Sequence, residues 1–200
     1  YYPIYRNFIW AARASGNFSW GEEKTVYYLG GIDNWMILGA NDPTNTGEYK
    51  YFNSSNVPSS SQNYAFQALA INLRGNIQNT GNGNNALVFN SEFRLPVFTT
   101  LLSRPINNIF LRNFQLTQFV DLGTAWEGSI EAIKRPTVRS GLPPVQVVIQ
   151  PRGVGPFVGG YGFGARSSIF GYFLKVDAGW SMNGFFKGNP IVYISMGVDF

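Results

Sequence analysis

Few residues in this chain are equipped for covalent chemistry. It contains no Cys and no His, which removes thiolate nucleophiles and thiolate metal sites along with the commonest general base and metal ligand. Paired carboxylates of the kind that hydrolyse glycosidic bonds have two candidates, Glu22 with Glu23 and Glu127 with Glu131. Both pairs fall in turn or loop sequence with no aromatic platform fixed around them, so they read as solvated charges. Gly153, Gly155, Gly159, Gly160, Gly162 and Gly164 imitate the composition of a phosphate-cradling loop. No helix follows to supply the N-terminus that such a loop needs, and the glycines run into a strand instead. They read as places where a strand curves tightly or another backbone comes close. No catalytic, cofactor or metal site is expected, and the chain is not expected to be an enzyme. At a formal net charge of +4 its basic residues are scattered rather than interleaved with aromatics, so nucleic acid is not an expected partner.

Side chains without bond chemistry turn attention to the elements that carry them. The composition is 44% hydrophobic and 16% aromatic but only 13% charged, with 23 glycines, which suits glycine-punctuated aromatic strands better than charged helices. The expected class is all-β. No apolar run approaches the roughly 20 residues of a transmembrane helix, so any membrane embedding has to be as a closed barrel. The start at Tyr1, Tyr2 and Pro3 carries no basic segment followed by an apolar one, and the chain is expected to be a mature or cut piece of one barrel across residues 1–200.

Seven strands are expected. Residues 6–15 alternate, with Phe8, Trp10, Ala12 and Ala14 opposite Asn7, Ile9, Ala11, Arg13 and Ser15, and a turn leads to a β-forming run at 24–31 that completes an expected hairpin. In 86–97, Val88, Asn90, Glu92 and Arg94 oppose Phe89, Ser91, Phe93 and Leu95. Residues 109–126 form a long candidate, beyond the usual five or six residues of soluble strands. Residues 157–166, 170–180 and 190–200 follow. In the last two, Tyr172, Leu174, Val176, Ala178 and Trp180, then Val192, Ile194, Met196, Val198 and Phe200, lie on an apolar face. Lys175, Asp177, Tyr193, Ser195 and Asp199 lie opposite. An apolar outside around a polar inside is the pattern of a lipid-facing barrel.

The connections add to this. Residues 32–85 are rich in Asn, Ser, Gly and Gln, and 127–156 carry five prolines, which argue against a central strand. Counted along the seven strands, the connections run short, very long, medium, long, short, short. If Phe200 sits at the periplasmic rim, both long ones emerge outside the cell, as outer-membrane barrels require. Trp10, Trp20, Trp126 and Trp180 suit interfacial girdles.

Several segments, in order, resemble the C-terminal end of the barrel of the bacterial surface-antigen superfamily. They are Tyr28, Leu29, Gly30 and Gly31 before a long loop; the pair Arg74 and Gly75; Asn90, Glu92, Arg94 and Pro96; Phe119, Asp121, Gly123 and Trp126; and the terminal Phe200. The resemblance covers essentially the whole chain and implies the last seven strands of a transmembrane antiparallel β-barrel of about 16 strands. It implies that the long loop folds back inside and that Arg74 meets acidic groups on the following strands, here Glu92 and Asp121. It also implies that Tyr193, Val198 and Phe200 belong to the last-strand signal read during assembly. Two departures stand out. Asn76 occupies a place where the family usually has an aromatic, and the stretch between Gly31 and Leu73 is longer than usual.

The function implied is assistance to the insertion or translocation of proteins at the bacterial outer membrane. The implied partners are outer-membrane lipids, client or secreted polypeptides, and accessory outer-membrane or periplasmic subunits. One alternative is a passive or plugged barrel that anchors another domain or complex, and another is a soluble β-sandwich binding module.

Overall fold

In the computed structural model the described residues are 1–5, 7–36, 51–58, 63–102, 104–129, 138–140, 147–149, 157–169, 171–182 and 188–197. Among them no helix is long and apolar enough to cross a membrane. The strands are β1 (Tyr2–Tyr5), β2 (Phe8–Phe18), β3 (Lys24–Leu29), β4 (Tyr64–Leu69), β5 (Gly81–Gly83) and β6 (Asn85–Pro96). Two helical turns follow, α1 (Val97–Leu101) and α2 (Ile109–Arg112). Then come β7 (Gln115–Trp126), β8 (Val138–Ser140), β9 (Val147–Ile149), β10 (Val158–Ile169), β11 (Tyr172–Ser181) and β12 (Ile191–Gly197).

One seven-stranded sheet, in the order β1-β2-β6-β7-β10-β11-β12, forms a wall of antiparallel neighbours. Its two faces follow from the period of two. Register places Ala11, Glu92, Phe119, Gly162 and Gly179 along one row of the face that the β2 to β6 connection covers, called inner here, with Asp121 beside Gly160, and Asp177 beside both Gly164 and Tyr193. The outer face carries Trp10, Phe89, Leu116, Phe163, Val176, Val192 and Met196, all exposed, and Val192 is 52% exposed. Its neighbour Tyr193 is at 0%, so the alternation expected for the last strand holds over the described part of β12. Val198, Asp199 and Phe200 lie outside the described residues.

The expected hairpin of 6–15 with 24–31 does not form. Strand β2 pairs with β6 over a register from Ile9↔Arg94 to Phe18↔Asn85, and β3 leaves the wall to join a second sheet in the order β4-β3-β5. That sheet pairs β3 in parallel with β4 and antiparallel with β5. The physical reason is that β3 buries Val26 and Leu29 and needs cover from above and below. Against the inner face it finds this: Leu29, Ala70, Leu73, Ala86 and Val88 form a shared core between loop layer and wall. Residues 32–85 are therefore partly structured rather than a bare loop, although 37–50 and 59–62 lie outside the described residues.

A second correction concerns 109–126. The strand begins only at Gln115, because Asn108 caps a helical turn by accepting from the Leu111 amide at 3.2 Å. The proline-bearing connection 127–156 contains the short pair β8 and β9, and its remaining stretches, 130–137, 141–146 and 150–156, lie outside the described residues.

Moving the hairpin changes which strands are counted but not the parity of the connections. The two long connections, β2 to β6 and β7 to β10, both leave the edge marked by Phe18, Asn85 and Trp126. The β6 to β7 and β10 to β11 connections close the opposite edge. Trp126 departs from its expected girdle place: it is 6% exposed, with Phe18 packed edge-on against it at 6.1 Å.

Candidate functional site

The site grows from a turn in the long connection. Leu73 pairs with Gly31, whose amide in turn donates to the Asn76 carbonyl at 2.9 Å, so residues 73–76 are bent back by a backbone clamp. Gly31 and Gly75 hold φ of +80° and +84°, the left-handed region where a side chain is disfavoured. This bend presents Arg74 to the polar face of β6, β7 and β11.

The Arg74 guanidinium makes a two-pronged contact with Asp121, from Nε to Oδ2 at 2.8 Å and from Nη2 to Oδ1 at 3.0 Å. Nη1 donates to Glu92 Oε2 at 2.8 Å and lies 3.6 Å from Asp177 Oδ2. The cation also stacks over Phe119, 3.7 Å from the ring centre. Asp121, at 0% exposure, accepts a third bond from the Arg74 backbone amide at 3.1 Å, so it reads the shape of the turn as well as its charge. Glu92 meets two further arginines, Arg94 at 2.7 Å and Arg166. Three arginines therefore face three carboxylates, each buried or nearly so. This balance makes the low-dielectric setting tolerable.

The turn lies close to the wall because the wall is flat there. Gly160 and Gly179 supply no side chains where Arg74 and Gly75 approach: a Cβ on Gly160 would overlap the Arg74 carbonyl oxygen, and one on Gly179 would come within 2.6 Å of the Gly75 nitrogen. This is the close backbone approach expected of the glycine-rich strand. Gly153 and Gly155 lie outside the described residues.

Asn76 continues the seat. Its side chain donates to the Gly159 carbonyl at 3.0 Å, and its own carbonyl accepts from the Tyr193 hydroxyl at 2.8 Å. Trp35 packs on the Tyr193 ring at 4.7 Å. Backbone of the same stretch reaches β12, with Met36 donating to the Ile194 carbonyl at 2.7 Å and Trp35 bridging Ser195. Asn72 is held by Asn90, which donates to its carbonyl at 2.8 Å.

Of the residues singled out from sequence, the structure brings Arg74, Gly75, Glu92 and Asp121 together, and it places Tyr193 beside them as a support of the turn. Val198 and Phe200 lie outside the described residues. Sequence reasoning missed Asp177, Arg166 and Trp35 as members. For Asp177 the signal was present, since alternation already put it on the polar face of its strand.

Of the two carboxylate pairs, only the first lies wholly within the described residues. Glu22 and Glu23 are exposed, and Glu131 lies outside the described residues. Glu127, expected as a solvated charge, instead accepts from the Tyr64 hydroxyl at 3.2 Å, joining β4 to the start of the second long connection. Partial burial, with Glu127 alongside, pushes the Tyr64 hydroxyl up to about 12. Among the described residues no group of carboxylates is arranged to hold a metal ion. What the main site does chemically is recognition, in which a charged turn is held by a complementary surface. No family model, no curated protein and no solved structure matches the chain.

Proposed function

We propose that this chain forms the C-terminal part of an outer-membrane β-barrel that assists the insertion or translocation of other polypeptides, as its resemblance to the surface-antigen superfamily implies. The observation that carries the reading is the combination of faces on one sheet. An Arg-Gly turn from a long connection is ion-paired to the polar face, while the opposite face exposes a broad apolar surface of aromatic and aliphatic side chains. A water-soluble monomer rarely leaves so large an apolar surface uncovered, whereas hydrocarbon surroundings remove the penalty. The shared edge of the two long connections supports an extracellular place for both.

No bond is made or broken in this mechanism. Strand β12 stands at one edge of the sheet with Trp35 and Met36 paired to the backbone at Ile194 and Ser195, so an incoming strand would join by β-augmentation as that segment lifts away. The long connection touches that edge through Trp35 and Met36, and it touches the wall through Arg74. It is therefore placed to couple the state of the edge to the interior. Clients would be unfolded or strand-forming polypeptides, with outer-membrane lipids around the wall and accessory subunits at the loops. A connection tied this firmly to the wall also suits the second reading, a plugged barrel serving as an anchor, and a client assay separates the two.

The membrane placement has its own test in Val176→Arg. Val176 is exposed on the outer face, where a soluble protein would accept Arg within about 0.5 kcal/mol. Facing the middle of a bilayer, the same change is expected to cost about 2–4 kcal/mol of folding free energy in vesicles. Denaturant titration in lipid of the complete barrel carrying this chain, with Val176 and with Val176→Arg, measures it. A cost indistinguishable from zero would remove the outer face from the membrane.

A further inference from the structure

The connection between β6 and β7 does not simply turn. It folds α2 outward onto the wall: the Ser167 hydroxyl donates to the Phe110 carbonyl at 2.6 Å, and Ser167 is buried although register puts it on the outer face with Leu174. Phe114 packs with Phe98 at 5.5 Å and with Phe110 at 6.0 Å, which stiffens the fold. The result is a helical elbow at the rim opposite the long connections.

Its surface is unusual in two respects. Leu101 is 74% exposed and Ile109 56%, with Leu102 and Phe110 exposed beside them, and this apolar patch continues into Leu116 on the outer wall. Arg104 and Arg112 are exposed within the same elbow. From Phe93 to Val120 the sequence contains no Asp or Glu, so nothing acidic on this stretch offsets their charge.

We propose that this elbow is an interfacial membrane anchor that docks on anionic phospholipid, with its leucines, Ile109 and Phe110 below the headgroups and Arg104 and Arg112 on the phosphates. Continuity with the apolar outer face puts the patch at the height where that face meets water. The charge sets the partner: apolar side chains alone would enter any bilayer, but cations on the same short segment favour a negatively charged surface. A protein partner would have to match both an apolar patch and a purely cationic rim that already borders the lipid-facing surface. The inference rests on the barrel reading, and its test keeps the two apart.

The chain has no native Cys, so a single fluorophore can be attached at Leu102→Cys, and separately at Val192→Cys as a marker of the wall. Each label is placed in the complete barrel proposed to carry this chain, otherwise free of Cys, which is folded into phosphatidylcholine vesicles with and without phosphatidylglycerol, and quenching by a spin-labelled lipid is compared with quenching by aqueous iodide. The Leu102 probe is expected to be quenched by the lipid label, at least twofold more strongly when phosphatidylglycerol is present. Arg104→Glu with Arg112→Glu should abolish that increase and leave the Val192 probe unchanged. Iodide quenching at Leu102 with lipid quenching at Val192 overturns the anchor while the barrel stands, and iodide quenching at both overturns the barrel reading itself. Shielding of Leu102 from both quenchers means the protein itself covers the elbow, and lipid quenching indifferent to phosphatidylglycerol means the cations do not select the surface. Either result refutes the proposal.

Discussion

Arg74→Ala is expected to free the long connection from the wall while leaving the wall sheet paired. The reason lies in the charge arrangement around it. Arg74, Arg94 and Arg166 face Glu92, Asp121 and Asp177, and the substitution leaves three carboxylates against two cations on a buried surface. Removing one partner from a buried pair typically costs about 3–5 kcal/mol, because the group left behind keeps its desolvation penalty without compensation. The wall ladder draws none of its backbone bonds from Arg74, so the cost falls on docking of the turn rather than on strand pairing. Amide hydrogen exchange should show residues 72–78 losing protection by a factor of hundreds, with amides of β7 changed far less. Asp121→Ala should act similarly, and the double variant should fall well short of the sum, since the two side chains serve one interaction. Arg74→Lys should not restore the wild-type state, because an ammonium cannot supply the fork that spans both oxygens of Asp121 while also reaching Glu92.

Gly160→Ala is expected to unseat the same turn without touching a charge. The added methyl would overlap the carbonyl oxygen of Arg74, a backbone atom that cannot rotate away as the end of a side chain can. Gly160 also sits directly beside Asp121 in the ladder, so any retreat of the turn pulls the guanidinium from its carboxylate. Overpacking commonly costs about 1–3 kcal/mol, and the upper end is expected here because backbone meets backbone. Gly128→Ala is the control: Gly128 has φ of +70° but open space around its Cβ position, so it suffers conformational strain alone. Exchange at residues 72–78 should rise in the Gly160 variant and stay at the wild-type level in the Gly128 variant. Equal protection in all three proteins would mean that the turn is not seated on the glycine strip.

These two variants also mark what could be read before folding was known. The polar faces of the strands were legible because a period of two leaves only two choices per strand, and burial of one face fixes which. That put Glu92, Asp121, Asp177 and Tyr193 on a common side. The partner of 24–29 was not legible. Its β preference suits a hairpin with β2 as well as a separate layer over the wall, and only the apolar cover supplied by Leu73, Ala86 and Val88 decides between them. The helical turn at 109–112 was hidden by its residues, since Ile109, Phe110 and Leu111 read as strand while the capping signal of Asn108 is a single residue.

The order within the long connection was likewise masked by composition. Asn-rich sequence reads as loop, yet Asn79 donates to the carbonyls of Asn53 and Asn56 at 2.7 and 2.8 Å, and Asn82 donates to Asn56 at 2.9 Å. These bonds knit two distant stretches together through groups that propensity counts as turn formers. Arg74 itself sits in no periodic pattern. Its role came from the resemblance and from its company with Gly75, whereas nothing in the sequence around Trp35 pointed to Tyr193.

The function is tested most directly by reconstitution. Vesicles are prepared with the complete barrel proposed to carry this chain, with its Arg74→Ala variant, or empty, and a urea-unfolded outer-membrane polypeptide is diluted into each. The rate at which it becomes protease-resistant within the membrane is then measured. A rate clearly above that of empty vesicles with the wild-type chain, falling back most of the way with Arg74→Ala, is the expected result. Equal rates in all three preparations, with the chain itself folded in the bilayer, would contradict an assembly role and leave a plugged anchor.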